Sequence, residues 1–516
     1  MSRWCKCLQL ILCLSILACN AWAAAPRVEL VIGSEASSLE KQAATEIASD
    51  LKKIYDAQVT ISTIAAAGAE HIIFVGRPGS IPITNENVSR TWPRLKELDH
   101  FLLTTKFRGK PALLVGGGSS IATYWAASEY AHSLGVRSML FSDMYPVAPK
   151  PFSLDNYDRL LTSSSDSNTW FETDPFPTGI TSWGLEHSKR RLRQLARLKY
   201  SSIVLKTNST QPFAKDIQKE SHERSGVLWF GWRFPVSGDT AGRSAFRGAK
   251  DFINPDFEGA STYEQRMQAG SKWLSGLVDQ AESLGMNLQV QSEQMQSESN
   301  SAVFDTKNPF LTFRPLVSDE SLIVYQSSRN RFGESLSGET VCSSLIGPIC
   351  GDGVSASLHK ASEQMRNATR LTDENDPQFS MPSPDMILKH FVRTAPAPEW
   401  WSRVRDQYLG GMNDMYRVNS RAREGGRSYS LYLARRCEFG FEYMNCVDAT
   451  RKAAIAGEKR DRTEQRAQLE KAVESINSAC AALAAVARDP SDRGMIAVLN
   501  EFGYRPLQKE LDKLDE

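Results

Sequence analysis

The chain has 516 residues, 41% hydrophobic and 23% charged, an ordinary globular composition that excludes a disordered or low-complexity chain. At roughly 100–200 residues per domain it holds two to four domains, each able to bury a core. Its 61 basic and 60 acidic residues give no field to steer nucleic acid or anionic membranes, which argues against a nucleic-acid partner.

The first residues have the three parts of a secretory signal. Arg3 and Lys6 supply the positive start, Leu8 to Ala18 the apolar run, and Ala21-Trp22-Ala23 the small-x-small cleavage pattern. Residues 1–23 are therefore expected to be a signal peptide, and the protein to be exported to the periplasm or beyond. The apolar run falls short of the roughly 20 residues that span a bilayer, and no later stretch is apolar enough to do so. Ile16-Leu17-Ala18-Cys19 is a loose match to a lipidation signal, so a lipid anchor at Cys19 is the alternative.

Beyond this segment lie Cys342, Cys350, Cys437, Cys446 and Cys480. Cys342 and Cys350 flank a Gly-Pro pair and are placed to close a small disulfide in an oxidising compartment. Cys437 and Cys446 lie about 13 Å apart along a helix axis, too far to bond. None of the spacings suggests zinc, and His187, His222 and His359 are scattered without ligand spacing. No metal and no cofactor is expected.

Residues 24–162 have the pattern of an α/β domain. Val28 to Ile32 is a short apolar strand, and Ser38 to Tyr55 a helix with Leu39, Ala43, Ile47, Leu51 and Ile54 on one face. Val59 to Ile64 and His71 to Val75 follow as strands. Leu102 to Thr105 and Ala112 to Val115 pair around Arg108-Gly109-Lys110. Gly116-Gly117-Gly118 then leads into a helix from Ser120 to Leu134. The glycines lack the rest of a phosphate-binding fingerprint, and a tight strand-to-helix turn is the favoured reading.

After a polar linker, Leu161 to Asn168, strands and helices alternate. Ile180 to Trp183, Ser202 to Lys206 and Asn287 to Gln291 are expected strands. Helices from Glu186 to Lys199 and Thr262 to Leu284 separate them, and a long loop rich in Gly, Trp and Phe runs from Thr207 to Phe257. This order points to parallel βαβ units. From about 400 onward the chain is helical: Trp400 to Asn419, Ser428 to Ala456, Arg460 to Ala487 and a shorter closing helix.

Residues 40 to 146 carry a recognisable series: Ala43-Ala44-Thr45-Glu46-Ile47, Ile73-Phe74-Val75-Gly76, Leu114-Val115-Gly116-Gly117, then Tyr130-Ala131-His132-Ser133-Leu134-Gly135-Val136-Arg137 and Tyr145-Pro146. The series resembles the N-terminal α/β domain that precedes the catalytic barrel in α-glucuronidases (glycoside hydrolase families 67 and 115) and hexosaminidases. Arg193 to Tyr200 and Ala281 to Met286 are similar to helix segments that introduce barrel strands in such enzymes. The resemblance implies an α/β fold in three parts: the N-terminal α/β domain at 24–162, a (β/α) barrel at 163–390, and a C-terminal helical domain at 391–516. A complete barrel usually takes about 250 residues, so an incomplete one is one form the middle part can take.

Glycoside hydrolysis usually uses two carboxylates flanking the scissile bond, and in a barrel they belong at the C-terminal ends of strands. Glu293, after the strand Asn287 to Gln291, is the first candidate, with Glu298 and Asp305 further along the same loop. The competing reading of Glu293 is a solvated loop glutamate. Trp183, Trp229 and Trp232 are candidate platforms for sugar faces, against packing within the loop. Lys206 and Asn208 are placed to meet hydroxyls or a uronate. Arg233 and Arg243, beside Asp239, suit a carboxylated sugar because a guanidinium binds carboxylate bidentately; surface salt bridges are the commoner role for such residues. The resemblance also implies an acidic residue after the fourth barrel strand, but the strand-like run in Glu339 to Pro348 ends without a carboxylate.

Two functions fit this pattern. One is an exported glycoside hydrolase acting on polysaccharide or uronic-acid-containing oligosaccharide by carboxylate acid/base chemistry. The other is a non-catalytic carbohydrate-binding or scaffold protein on a degenerate hydrolase fold. The oligomeric state stays open, because no heptad run of useful length is present.

Overall fold

The computed structural model describes residues 25–66, 68–81, 92–164, 167–172, 179–208, 233–293, 320–375 and 396–515. In the first part, β1 (Arg27–Val31) leads to α1 (Ser38–Tyr55), β2 (Gln58–Ser62), β3 (His71–Val75), β4 (His100–Phe107), β5 (Lys110–Gly117) and α2 (Ser120–Ser133). The two-stranded β6 (Arg137–Ser138) and β7 (Asp143–Met144) and the edge strand β8 (Asp158–Leu161) complete it. Six strands form one sheet in the order β2-β1-β3-β5-β4-β8, the first four parallel and β4 antiparallel to both its neighbours.

Local chemistry sets these elements. Ser37 caps α1 in a capping box: its hydroxyl accepts from the Glu40 amide at 3.2 Å, and Glu40 accepts from the Ser37 amide at 2.8 Å. Leu39, Ala43, Ile47 and Leu51 are buried on one face, as their spacing predicts. Arg108 and Gly109, both with positive φ, make the turn between β4 and β5. Along β5, Leu113 and Val115 join the core under α1 and α2, whereas Ala112 and Leu114 join a smaller core on the opposite face.

The glycine triplet is a packing device. A Cβ at Gly116 would stand 2.2 Å from the Gly76 carbonyl oxygen, at Gly117 2.4 Å from the Ala122 carbonyl carbon, and at Gly118 1.9 Å from the Lys96 carbonyl oxygen. Neighbouring backbone thus occupies the place that a side chain would need. Gly118→Ala is expected to cost about 1–3 kcal/mol through overpacking, read as a lowered urea midpoint.

The second part starts with β9 (Thr169–Glu172), α3 (Leu185–Arg197), β10 (Ser202–Asn208), the short pair β11 (Phe234–Pro235) and β12 (Asp251–Phe252), α4 (Tyr263–Ser283) and β13 (Asn287–Glu293). β9, β10 and β13 form a parallel three-stranded sheet with β10 in the middle. Ile203 and Leu205 of β10 share one continuous core with α3, α4, α1 and α2. The helices of the two sheets are therefore packed against one another. The first parallel strand lies earlier than expected: Ile180–Ser182 is a single 3-10 turn, and the strand is Thr169–Glu172.

Helices follow: α5 (Glu320–Asn330), α6 (Gly338–Cys350), α7 (Ser355–Asn375), α8 (Glu399–Arg421), α9 (Glu424–Glu458), α10 (Arg462–Ala484), α11 (Pro490–Leu499) and α12 (Arg505–Asp515). α6 corrects the strand-like reading of Glu339 to Pro348. Val341, Cys342, Leu345, Ile346 and Ile349 repeat at helical spacing and are buried, and Ser337 caps the helix by accepting from the Thr340 amide at 3.2 Å. α6 and α7 share one large core with α8, α9 and α10.

The same helix overturns the expected Cys342–Cys350 disulfide. Eight positions along one helix separate the two by about 12 Å, beyond disulfide reach. All five cysteines from Cys342 onward are buried and outside any disulfide, and burial pushes the thiols of Cys350, Cys437 and Cys446 up to about 12. Thiol reagent is expected to label these five only after denaturant is added, and reductant to leave the unfolding midpoint unchanged. Labelling in the native protein would contradict the burial.

Candidate functional site

The C-terminal ends of β9, β10 and β13 lie side by side. Register sets their order: Leu205 stands opposite Glu172, and Asn208 opposite Glu293. Glu293 is the last residue of β13, one short step from the loop position expected of it, and Lys206 and Asn208 close β10. Backbone pairing thus brings Lys206, Asn208 and Glu293 to one sheet edge, with Lys206 opposite Gln291. Glu298, Asp305, Trp229 and Trp232 lie outside the described residues.

Trp183 does not stand at a strand end. It closes the 3-10 turn Ile180–Ser182 and is 8% exposed. Its indole Nε1 donates to Ser491 Oγ at 2.9 Å, and its carbonyl accepts from Asn254 Nδ2 at 3.0 Å and Trp273 Nε1 at 3.1 Å. The Arg191 guanidinium lies 5.0 Å from its ring centroid and 5.4 Å from that of Trp170. These contacts tie the start of α3 to α4 and α11, so the ring is built into a junction, not held open as a sugar platform.

The remaining described candidates, Arg233, Asp239 and Arg243, lie around β11. Arg233 is exposed and pairs with Asp251 at 3.2 Å. Asp239 accepts from Ser237 and pairs with Arg505 of α12 at 3.3 Å, and the Ser237 hydroxyl, then Arg505, lower its pKa. Arg243 is exposed on the 3-10 turn Arg243–Phe246. Arg233 and Asp239 are thus each engaged in a separate ion pair.

One strand-end carboxylate escaped the sequence reading. Glu172 is 6% exposed and accepts from Trp170 Nε1 at 2.6 Å and Arg191 Nε at 3.1 Å. Its carboxylate is already committed to Arg191. Trp170-Phe171-Glu172 is the β-prone run that was available to find it; the Ser-rich stretch before it hid the strand.

Among the described residues no group of three or more His, Cys, Asp or Glu side chains is arranged to hold a metal ion, and no helix is long and apolar enough to cross a membrane.

No protein-family model matches the chain, and no curated protein sequence matches it. Solved structures do. A family GH115 4-O-methyl-α-glucuronidase, BtGH115A, with specificity for decorated arabinogalactans, matches over 92% of this chain and 79% of its own, with a TM-score of 0.52 at 12% identity. A GH138 enzyme targeting pectin rhamnogalacturonan II matches over 95% and 100% at TM-score 0.39 and 10% identity. CpGH84D matches over 88% and 90% at TM-score 0.31 and 10% identity. The likeness to the GH115 enzyme alone carries the conclusion: this chain has a glycoside hydrolase-like fold. At 12% identity that is a statement about fold.

Proposed function

We propose that the protein is an exported glycoside hydrolase whose substrate is a uronic-acid-containing oligosaccharide or polysaccharide. In this reading β9, β10 and β13 are the first three strands of a (β/α) barrel, and Glu293 is the acid or base. The observation that carries it is the register of Asn208 with Glu293 at the C-terminal edge of a parallel sheet, the edge where barrel enzymes place their chemistry. The likeness to an α-glucuronidase fold supports the choice of a uronate. Residues 1–23 supply the export signal.

A second reading has its own support. Glu172 is consumed by Arg191, and the 338–350 segment is a core helix, so neither supplies the second carboxylate. A protein lacking it altogether would bind glycans without cleaving them. The test is a panel of aryl glycosides and uronic-acid-decorated xylan oligosaccharides. Turnover supports the hydrolase; binding without turnover supports the glycan-binding protein; neither turnover nor binding overturns both.

A further inference from the structure

The motif Tyr130 to Arg137 sits at a buried ionic junction between the first sheet unit and α5. Glu129 of α2 is fully buried and meets three cations: Lys199 at 2.6 Å, Arg329 of α5 at 2.6 Å, and Arg159 of β8 at 2.7 Å. Glu334, after α5, pairs with Arg159 at 3.0 Å and with Arg329. A fourth cation, Arg137, donates to the carbonyls of His132 and Ser344, each at 2.8 Å. Four cations thus face two carboxylates.

Two imidazoles lie in this excess of positive charge. His132, one turn after Glu129, stacks on Tyr325 of α5, with its Nε2 2.8 Å from the tyrosine hydroxyl. His100 of β4 is fully buried, with its ring against Trp125 and Phe332. Its Nδ1 is 3.5 Å from the Leu98 carbonyl oxygen, and its Nε2 has no hydrogen-bond partner among the described residues.

We propose that this junction is an acid-opened latch: protonation of His132 and His100 adds positive charge to a site already rich in it, and frees α5 and the turn after it from the first sheet unit. The carboxylates cannot absorb the added charge, because Lys199, Arg329 and Arg159 already share Glu129. Burial, then Arg137 and Arg329, hold His132 well below the ordinary histidine value; burial, then Lys199, do the same for His100. Depressed values mean that folding favours the neutral rings. Their contribution is complete above the unfolded value near 6.5 and is lost as pH falls below it. Glu129 does not give way first: burial would raise it, but Lys199 and Arg329 outweigh burial and hold it well below the usual carboxylate range. Burial pushes Lys199 down to about 8, so it stays charged below neutrality.

Hydrogen exchange of the full chain at pH 7.5 and pH 5.0, corrected for intrinsic rates, tests this. Protection of residues 320–334 is expected to fall about tenfold or more at pH 5.0, while α9 keeps its protection. His132→Gln, which can still bond Tyr325, is expected to shrink that change. Equal protection at both pH values, or a loss spread evenly through α9, overturns the proposal. Should the variant fail to fold, histidine NMR of the unaltered protein decides: rings that titrate near 6.5 in the folded chain overturn it.

Discussion

Glu293→Gln is expected to lower glycoside turnover by about 100- to 10,000-fold, the usual contribution of a positioned general acid or base. The substitution keeps the shape of the side chain and removes only its proton chemistry. The strand should survive it, because Glu293 ends β13 and the buried residues Ile203 and Leu205 of β10 hold the sheet to its helices. Oligosaccharide binding is therefore expected to persist in the variant. The pH profile adds a second reading: an acid or base that acts in turnover gives one limb of the bell, and that limb should vanish. A variant with full activity would mean that the carboxylate lies elsewhere, with Glu298 and Asp305 next in line.

Arg197→Met is expected to destabilise the fold by about 3–5 kcal/mol, the cost of breaking a buried ionic network by removing one partner. Arg197 closes α3 with its side chain 1% exposed and meets three carboxylates: Glu46, Asp50 at 3.2 Å and Asp143 at 3.1 Å. Burial would raise Glu46, but Arg197, then Arg193, outweigh it and lower its pKa; Asp50 is the one that burial raises. In the variant three carboxylates share only the half-exposed Arg193, which bonds Glu46 at 2.8 Å. Without Arg197, burial raises Glu46 and lifts Asp50 further, so the folded state takes up protons first as pH falls. The deficit should accordingly be larger at pH 7.5 than at pH 5. Urea unfolding at the two pH values checks both statements. A loss under about 1 kcal/mol, or a deficit that grows in acid, would contradict the assignment of Arg197 as the shared counter-ion.

What sequence could show here was local. The face Leu39, Ala43, Ile47, Leu51 of α1 and the turn Arg108-Gly109 between β4 and β5 rest on periodicity and φ preference within a few residues. The long helices from Glu399 onward are of the same kind. Two errors came from short apolar runs, which periodicity separates poorly. Ile180 to Trp183 has strand composition but is a single turn, while the true strand carries two aromatic residues after a Ser-rich stretch. Val341 to Ile349 is rich in β-formers, yet its i, i+4 spacing serves a buried helix. The ionic junctions were not legible at all. Glu46, Asp50, Arg193 and Arg197 have the spacing of solvated helix faces until a second unit covers them. The site candidates divide in the same way: the strands expected at Ser202 to Lys206 and Asn287 to Gln291 are present and bring Lys206, Asn208 and Glu293 to one sheet edge, whereas Trp183 belongs to an expected strand that is a turn, and its ring is buried.

The measurement that tests the account most directly is a crystal structure of the protein with a uronic-acid-decorated xylan oligosaccharide bound. The expected result places the sugar at the C-terminal ends of β10 and β13, within hydrogen-bond distance of Asn208 or Glu293. An oligosaccharide seated away from those strand ends, with Glu293 facing solvent, would contradict it.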